Sequence, residues 1–181
     1  TTKELSGGGP LIDLGVHRLD LALWLMGYPE PVAVSGSTYD PLARAKADAA
    51  GATYTVEDLA AGIVKFANGA TLIVEASWAL NIDEREHMVT LLCGNQGGLV
   101  QKNTGGGYNF RAEVYTEEGG HMFTKQLDWS SQSVPSSYHE FVDSIIEKRP
   151  PMATAEQGIK VMKILDGIYE SARTGREVRY D

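Results

Sequence analysis

A predicted β-hairpin near the middle of the chain places the strongest constraint on the fold. Two strand-like segments, 62–67 and 70–78, flank Asn68-Gly69. Asn-Gly favours a tight primed turn because both of its residues accept positive φ angles. Along the second segment apolar residues recur at the strand period of two, so one face is expected to pack on a core. That face comprises Ala70, Leu72, Val74, Ala76 and Trp78.

Further strands are predicted on both sides of the hairpin. Alternating β-branched residues and short Gly-rich connections predict five of them, at 31–39, 87–93, 98–102, 108–116 and 121–129. The short connections favour antiparallel neighbours, because parallel strands need long crossovers. The Ala-rich, polar residues 40–55 predict either a loop or a short helix.

Two helices are predicted near the end of the chain. Ser137-x-x-Glu140 and Thr154-x-x-Gln157 each fit a capping box, which satisfies free backbone donors at a helix start. Pro150-Pro151 separates the two helices, and Gly175 ends the second. Each carries an apolar stripe, formed by Tyr138, Phe141, Val142, Ile145 and Ile146 in the first and by Val161, Met162, Leu165, Ile168, Tyr169 and Ala172 in the second.

The order of these elements predicts the fold class. With a helix at the start, a run of strands and then helices, the chain is expected to be α+β, with a largely antiparallel open β-sheet carrying helices on one face. A length of 181 residues without repeats or a low-complexity linker favours a single domain over residues 1–181.

Charge and composition exclude several classes of protein. The net charge of −8 has the wrong sign for phosphate attraction, so no nucleic-acid partner is expected. No apolar run approaches the roughly 20 residues of a membrane helix. The single Cys93 allows no internal disulfide, which favours a reducing, cytoplasmic compartment. Because the chain starts at Thr1 without methionine, we expect it to be a piece of a longer protein.

The first predicted helix, over 11–26, carries the candidate site. Pro10 lies at its first position and Gly27 ends it. Apolar residues surround most of the helix, so we expect it to be mostly buried. Against this background, steps of four, three and four residues place four side chains in one line: Asp13, His17, Asp20 and Trp24.

Three interpretations of this line remain open. Asp13 and His17 could form a structural pair while Asp20 caps a neighbouring loop, because buried polar groups need partners. In a functional site, Asp13 would fix the tautomer of His17, whose pKa suits proton exchange near neutrality. Asp-x-x-x-His-x-x-Asp also has usable metal-ligand spacing, but no further His or Cys cluster completes it.

Other chemistry has weak support in the sequence. Cys93 lies in an apolar predicted strand and is expected to be buried and inert. His87, His121 and His139 are isolated and are expected at the surface. The glycine clusters at 94–98 and 105–107 lie between predicted strands, so no dinucleotide loop is predicted in this chain.

The motifs together resemble a known family. The segment Gly8-Gly9-x-x-x-Asp13-x-Gly15-x-His17-x-x-Asp20 is similar to the signature of the C-terminal domain of the glucose-fructose oxidoreductase, inositol dehydrogenase and rhizopine-catabolism (Gfo/Idh/MocA) dehydrogenases. The resemblance continues through Glu57-Asp58, the central hairpin to Trp78, the glycine turn at 94–98 and the terminal helices and tail.

This resemblance implies a function. The chain would be the substrate-binding and oligomerising half of an NAD- or NADP-dependent enzyme that oxidises a sugar or polyol, preceded by an N-terminal Rossmann domain that is absent here. His17 would be the catalytic acid/base and Asp13 its partner, with Asp20 and Trp78 as candidate substrate-binding residues. The open sheet would pair with a second subunit in a homo-oligomer. The chain alone would hold no cofactor and would be inactive.

Two alternatives to this function are kept open. The chain could be a stand-alone, non-catalytic binding or dimerisation module of the same fold, although a purely structural role would not need the titratable Asp13 and His17. It could also be a metal-dependent hydrolase, which predicts stoichiometric bound metal after purification.

Overall fold

The computed structural model describes residues 1–127 and 136–180. The chain divides into two compact units, Thr1–Asn81 with Ala155–Asp181, and Ile82–Thr154. Two four-stranded sheets, one in each unit, replace the single sheet that the sequence predicted. The reason is that residues 78–88 form no strand, so the central hairpin does not continue into the strands that follow. The prediction of a single domain stays a prediction.

The first unit contains a helical N-terminal segment, a four-stranded sheet and a long helix. Its elements are α1 (Lys3–Ser6), a π-helical turn (Leu11–Gly15), α2 (Val16–Met26), β1 (Pro31–Tyr39), α3 (Pro41–Ala49), β2 (Leu59–Phe66), β3 (Thr71–Ser77), α5 (Ala155–Thr174) and β8 (Val178–Arg179). The sheet order is β3-β2-β1-β8, and every pair is antiparallel. The first predicted helix is confirmed, with its first turn widened to a π-helix. Residues 40–55 do contain a short helix, α3.

Helices cover one face of this sheet, as predicted. The alternating residues of β2 and β3 that face them are buried, whereas Ile73 on the other face is 70% exposed. Of the hairpin face predicted from the sequence, Val74 and Ala76 are buried and Trp78 is 41% exposed. The buried core joins α2, α5 and the sheet through Leu11, Leu19, Leu23, Val34, Ala60, Val64, Phe66, Val74, Val161, Ile164, Leu165 and Ile168.

The turn of the central hairpin differs from the predicted primed type. Gly69 has a φ of +85°, but Asn68 does not have a positive φ. The amide of Gly69 donates to the carbonyl of Phe66, and the Asn68 side chain accepts from the amide of Ala70. This longer connection needs a single left-handed residue, because Asn68 uses its side chain to hold the turn.

The second unit contains the other four-stranded sheet and a helix. Its elements are β4 (Val89–Gly94), β5 (Gly97–Thr104), β6 (Asn109–Glu118), β7 (His121–Leu127) and α4 (Ser137–Ile146). The strands are antiparallel in sequence order. They confirm the four predicted strands, although the last two residues of the 121–129 prediction lie outside the described residues. The prediction that Cys93 is buried is wrong, because its side chain projects from the exposed face of β4 and Thr90 is the buried residue.

Helix α4 differs from its prediction in two respects. Its N-cap is Ser136 and not Ser137, because the Ser136 hydroxyl accepts from the amide of His139 at 3.3 Å. Its apolar stripe faces solvent in this chain, and only Ser144 is buried. Every residue of the stripe is more than half exposed: Tyr138, Phe141, Val142, Ile145 and Ile146.

Helix α5 is closer to the prediction. It starts directly after Thr154 and ends before Gly175, which has a φ of +68°. Half of its predicted stripe is buried, namely Val161, Leu165 and Ile168. Tyr169 and Ala172 are partly buried, and Met162 is 42% exposed. None of the helices in the described ranges has the length and apolar character needed to cross a membrane.

Candidate active site

The predicted line of side chains lies on the open face of the first helix. Asp13, His17, Asp20 and Trp24 are all exposed, so their common face is confirmed. The expectation that this helix is mostly buried is wrong for that face, where Trp24 is 58% exposed and Leu14 is 43% exposed. Helix α2 packs on the rest of its unit only through its opposite side, which contains the buried Leu19, Ala22 and Leu23.

The π-helical turn places Asp13 against the end of β3. The amide of Val16 donates to the carbonyl of Leu11, five residues back, which widens the turn. Gly15 lies directly against β3, because a Cβ built at this position would lie 3.1 Å from the Cβ of Ala76. The turn therefore packs on the strand more closely than a side chain at position 15 ordinarily allows.

Two of the predicted site residues meet at this contact. The indole Nε1 of Trp78 donates a hydrogen bond to Asp13 Oδ2 at 2.9 Å. The amide of Trp78 donates to the carbonyl of Asp58 at 3.1 Å, which fixes where the side chain leaves the strand. Asp13 and Trp78 thus form one polar pair beside an exposed aromatic ring.

His17 is not paired with Asp13. The structure gives the imidazole no hydrogen bond to any described residue, and the Asp13 carboxylate is engaged by Trp78. The expected structural pair of Asp13 and His17 is therefore not formed. His17 lies at a cleft of about 780 Å³ between α2 and α5, with Asp20 on the same helix and mainly apolar side chains of α5, among them Ile159 and Met162, opposite.

Asp20 is held by the residue that follows the helix. The hydroxyl of Tyr28 donates to Asp20 Oδ1 at 2.7 Å. Tyr28 has the left-handed φ of +51°, and its amide donates to the carbonyl of Leu23 at 2.7 Å. Burial, followed by the hydrogen bond and charge of Asp20, raises the pKa of Tyr28 to about 12. One oxygen of Asp20 is therefore engaged in closing the helix end.

Sequence reasoning assigned no role to Glu57, which holds the start of this helix. Its side chain is buried, and its carboxylate accepts from the amide of Gly9 at 3.0 Å and from the amide of Leu11 at 3.1 Å. The hydroxyl of Tyr169 on α5 donates to the same carboxylate at 2.8 Å. Burial, with the hydrogen bond to Glu57 next, raises the pKa of Tyr169 well above its usual range. The only sequence signal was the place of Glu57-Asp58 in the family resemblance.

Asp58 organises the neighbouring segment. Its carboxylate is 1% exposed and accepts from the amide of Ala43 at 2.8 Å. Its carbonyl accepts from the Ser77 hydroxyl at 2.6 Å as well as from the Trp78 amide. Glu57 and Asp58 together therefore contact both segments that meet at the Asp13–Trp78 hydrogen bond.

The glycine-rich segments that the structure describes do not form a dinucleotide cradle. The glycine clusters at 94–98 and 105–107 lie between antiparallel strands, whereas a dinucleotide cradle needs a strand, a glycine loop and a helix in a parallel unit. The Gly-rich segment before the first helix has its amides at Gly9 and Leu11 occupied by Glu57, so they are not available to a phosphate.

A metal site has no support in the described residues either. No group of three or more His, Cys, Asp or Glu side chains among them is placed to hold a metal ion. His87, His121 and His139 are exposed, as predicted. The spacing of Asp13, His17 and Asp20 therefore does not assemble a ligand set.

Comparison with known proteins identifies the family. Residues 1–180 match the model described as "Oxidoreductase family, C-terminal alpha/beta domain" of the Gfo/Idh/MocA proteins. The chain belongs to this family. The family resemblance, the α+β fold and the place of the chain as a C-terminal domain are therefore confirmed.

The relatives of this Gfo/Idh/MocA domain include sugar dehydrogenases. It is 33% identical over 186 residues to D-glucoside 3-dehydrogenase of Escherichia coli K12, covering 98% of this chain and 50% of that protein. It is 25% identical to D-xylose 1-dehydrogenase (NADP(+)) 2 of Haloferax volcanii, covering 96% of this chain and 49% of that protein. The chain spans about half the length of the curated relatives it matches.

Solved structures share the fold. Aldose-aldose oxidoreductase from Caulobacter crescentus, complexed with glycerol, superposes with a TM-score of 0.77 and 22% identity, covering 98% of this chain and 49% of that one. At this identity the likeness establishes the fold alone.

Proposed function

We propose that this chain is the substrate-side half of an NAD- or NADP-dependent dehydrogenase that oxidises a hydroxyl group of a sugar or polyol. The observation that carries the proposal is the open face of the first helix, where His17 lies free of hydrogen bonds to described residues beside the Asp13–Trp78 pair. The activities of the relatives, D-glucoside 3-dehydrogenase and D-xylose 1-dehydrogenase, support the substrate class.

His17 is the proposed acid/base. An exposed imidazole with both ring nitrogens available can accept the proton of a substrate hydroxyl as the carbinol carbon loses its hydride. Loss of that proton and that hydride leaves a carbonyl, so the two transfers balance. In the reverse direction His17 returns the proton to the oxygen.

Asp13, Trp78 and Asp20 are the proposed substrate contacts. Trp78 uses its N–H to hold one oxygen of Asp13, which leaves the other oxygen available to accept from a sugar hydroxyl or to orient His17. The exposed ring of Trp78 offers an apolar surface for the C–H face of a sugar. Asp20 keeps one oxygen not engaged by Tyr28 for a further hydroxyl.

The hydride acceptor is proposed to be held outside this chain. The described glycine clusters do not form a dinucleotide cradle, and the two dehydrogenases named above each contain about as much chain again beyond the match. An N-terminal Rossmann domain in cis would supply the cofactor, and this chain alone would then be inactive.

Substitution of His17 tests this function. In the complete enzyme, His17→Ala should lower the kcat for sugar oxidation by roughly 10²–10⁴-fold, because a positioned proton acceptor contributes about that much. The rate is followed through the absorbance of the reduced nicotinamide. His121→Ala is the control, because it removes an exposed imidazole from β7 and should leave kcat unchanged. An unchanged rate in His17→Ala would refute the acid/base role and favour a binding or dimerisation module.

The second unit is the proposed oligomer interface. Its sheet and helix expose apolar side chains, among them Leu91 at 57% and Ile145 at 61%. Exposed apolar surface of this kind favours association with another protein surface. We propose a second copy of this chain as the partner.

The exposed, unpaired Cys93 favours the reducing cytoplasm as the compartment.

A further inference from the structure

We propose that Glu57 is a positioning residue that fixes the Asp13–Trp78 hydrogen bond through two separate connections. This inference rests on the proposed function for its catalytic consequence, but the placement of Trp78 can be measured independently. One connection runs through the Glu57 side chain to the start of the first helix. The other runs along the backbone into Asp58, which holds Trp78.

The first connection depends on the charge of Glu57. The hydrogen-bond partners of its carboxylate are all donors, namely the amides of Gly9 and Leu11 and the hydroxyl of Tyr169. An ionised carboxylate satisfies all three because it is an acceptor only. Oε1 accepts from all three groups, and Oε2 accepts from the Gly9 amide alone. A glutamine that keeps its oxygen at the Oε1 position would therefore turn its NH2 group toward the Gly9 amide. Leu11 begins the π-helical turn, so its placement determines where Asp13 lies.

Close packing restricts which residues can stand in the glycine segment before the first helix. A Cβ built at Gly9 would lie 2.2 Å from the backbone oxygen of Glu57 and 2.8 Å from its carboxyl carbon. A Cβ built at Gly8 would lie 2.3 Å from the Tyr169 hydroxyl oxygen. The two glycines of the signature are therefore required because Glu57 and Tyr169 approach their backbone, which gives a physical reason for this part of the motif.

The second connection fixes the indole. The Asp58 carbonyl accepts from the amide of Trp78 and from the Ser77 hydroxyl, and the Asp58 amide donates to the carbonyl of Tyr39 at 2.7 Å. The Glu57 side chain thus binds the helix start, and the carbonyl of the next residue, Asp58, binds the end of β3. The peptide between them is held in place because its carbonyl accepts from the Tyr54 hydroxyl at 2.9 Å. A shift of the Glu57 side chain therefore changes the distance between Asp13 and Trp78.

The test combines a spectroscopic signature with kinetics in the complete enzyme. Trp78 is labelled as 5-fluorotryptophan, and its fluorine resonance is assigned by its loss in Trp78→Phe. We expect Glu57→Gln to move this resonance and to lower kcat by about 10- to 100-fold, the effect of a displacement of about 1 Å, with KM within about threefold. Glu57→Asp keeps the charge and should recover part of kcat. Glu75→Gln removes an exposed charge from β3 and is the matched control.

The possible outcomes separate this inference from the proposed function. An unmoved Trp78 resonance in folded Glu57→Gln overturns the positioning role, whatever happens to kcat. A moved resonance with unchanged kcat supports the positioning role and refutes the proposed catalytic use of Asp13. Should Glu57→Gln fail to fold, Tyr169→Phe removes one donor from the carboxylate and must move the same resonance by a smaller amount, or the inference fails.

Discussion

Replacement of Gly15 by alanine tests whether close packing of the π-helical turn on β3 builds the site. The new Cβ would lie 3.1 Å from the Cβ of Ala76 and 3.2 Å from Leu11 Cδ1. Carbon atoms prefer about 3.5–4.0 Å, so the contact is short by several tenths of an ångström. Neither neighbour moves easily, because Leu11 is fully buried and the Cβ of Ala76 is fixed to the strand.

Two opposing effects set the size of the change. Overpacking costs about 1–3 kcal/mol, whereas replacing glycine by alanine in a helix gains about 1 kcal/mol. The unfolding free energy of Gly15→Ala should therefore fall by about 1 kcal/mol, which corresponds to a drop in Tm of roughly 2–4 °C for a chain of this size. Because the turn must move away from β3, the Asp13–Trp78 hydrogen bond should also lengthen.

A double-variant cycle identifies the cause. Ala76→Gly removes the obstructing Cβ and should destabilise the protein by itself by about 1 kcal/mol, because glycine weakens a strand. In the presence of Gly15→Ala it should cost less, giving a favourable coupling of about 1 kcal/mol. Chemical denaturation of the four proteins measures these free energies. Additive effects, or a Gly15→Ala protein as stable as the parent, would show that this contact does not require glycine.

Two further predictions concern other parts of the molecule. The pKa of Tyr28 is raised from 10.0 to about 12, so its contribution to stability is full below pH 10 and is lost as pH rises toward 12. In Tyr28→Phe one fewer phenolate should form in the alkaline absorbance titration, and the loss of stability between pH 10 and 12 should become smaller. An absorbance titration that is unchanged between pH 10 and 12 would contradict this prediction. For the oligomer, Leu91→Lys and Ile145→Glu should convert dimers to monomers in light scattering coupled to gel filtration, whereas Lys46→Glu on α3 of the first unit should not. Monomers of the parent chain at all concentrations exclude the interface.

The sequence determined most of the local structure. Strand periodicity, glycine turns and capping residues act over a few neighbouring positions, so the hairpin, the strands and the terminal helices were predictable. The polar line Asp13, His17 and Asp20 was also predictable, because helical spacing alone places its members on one face. The errors at the Asn68-Gly69 turn and at the Ser137 cap are shifts of this local chemistry by one residue.

Only the tertiary structure decided how the site is assembled. Asp13 bonds to Trp78, 65 positions away, and Glu57 reaches Gly9 across 48 positions. No local pattern encodes such partners, because they depend on a backbone approach that Gly15 and Gly9 permit. Periodicity also did not determine which apolar faces are covered. A stripe such as that of α4 indicates a contact surface without specifying what lies against it.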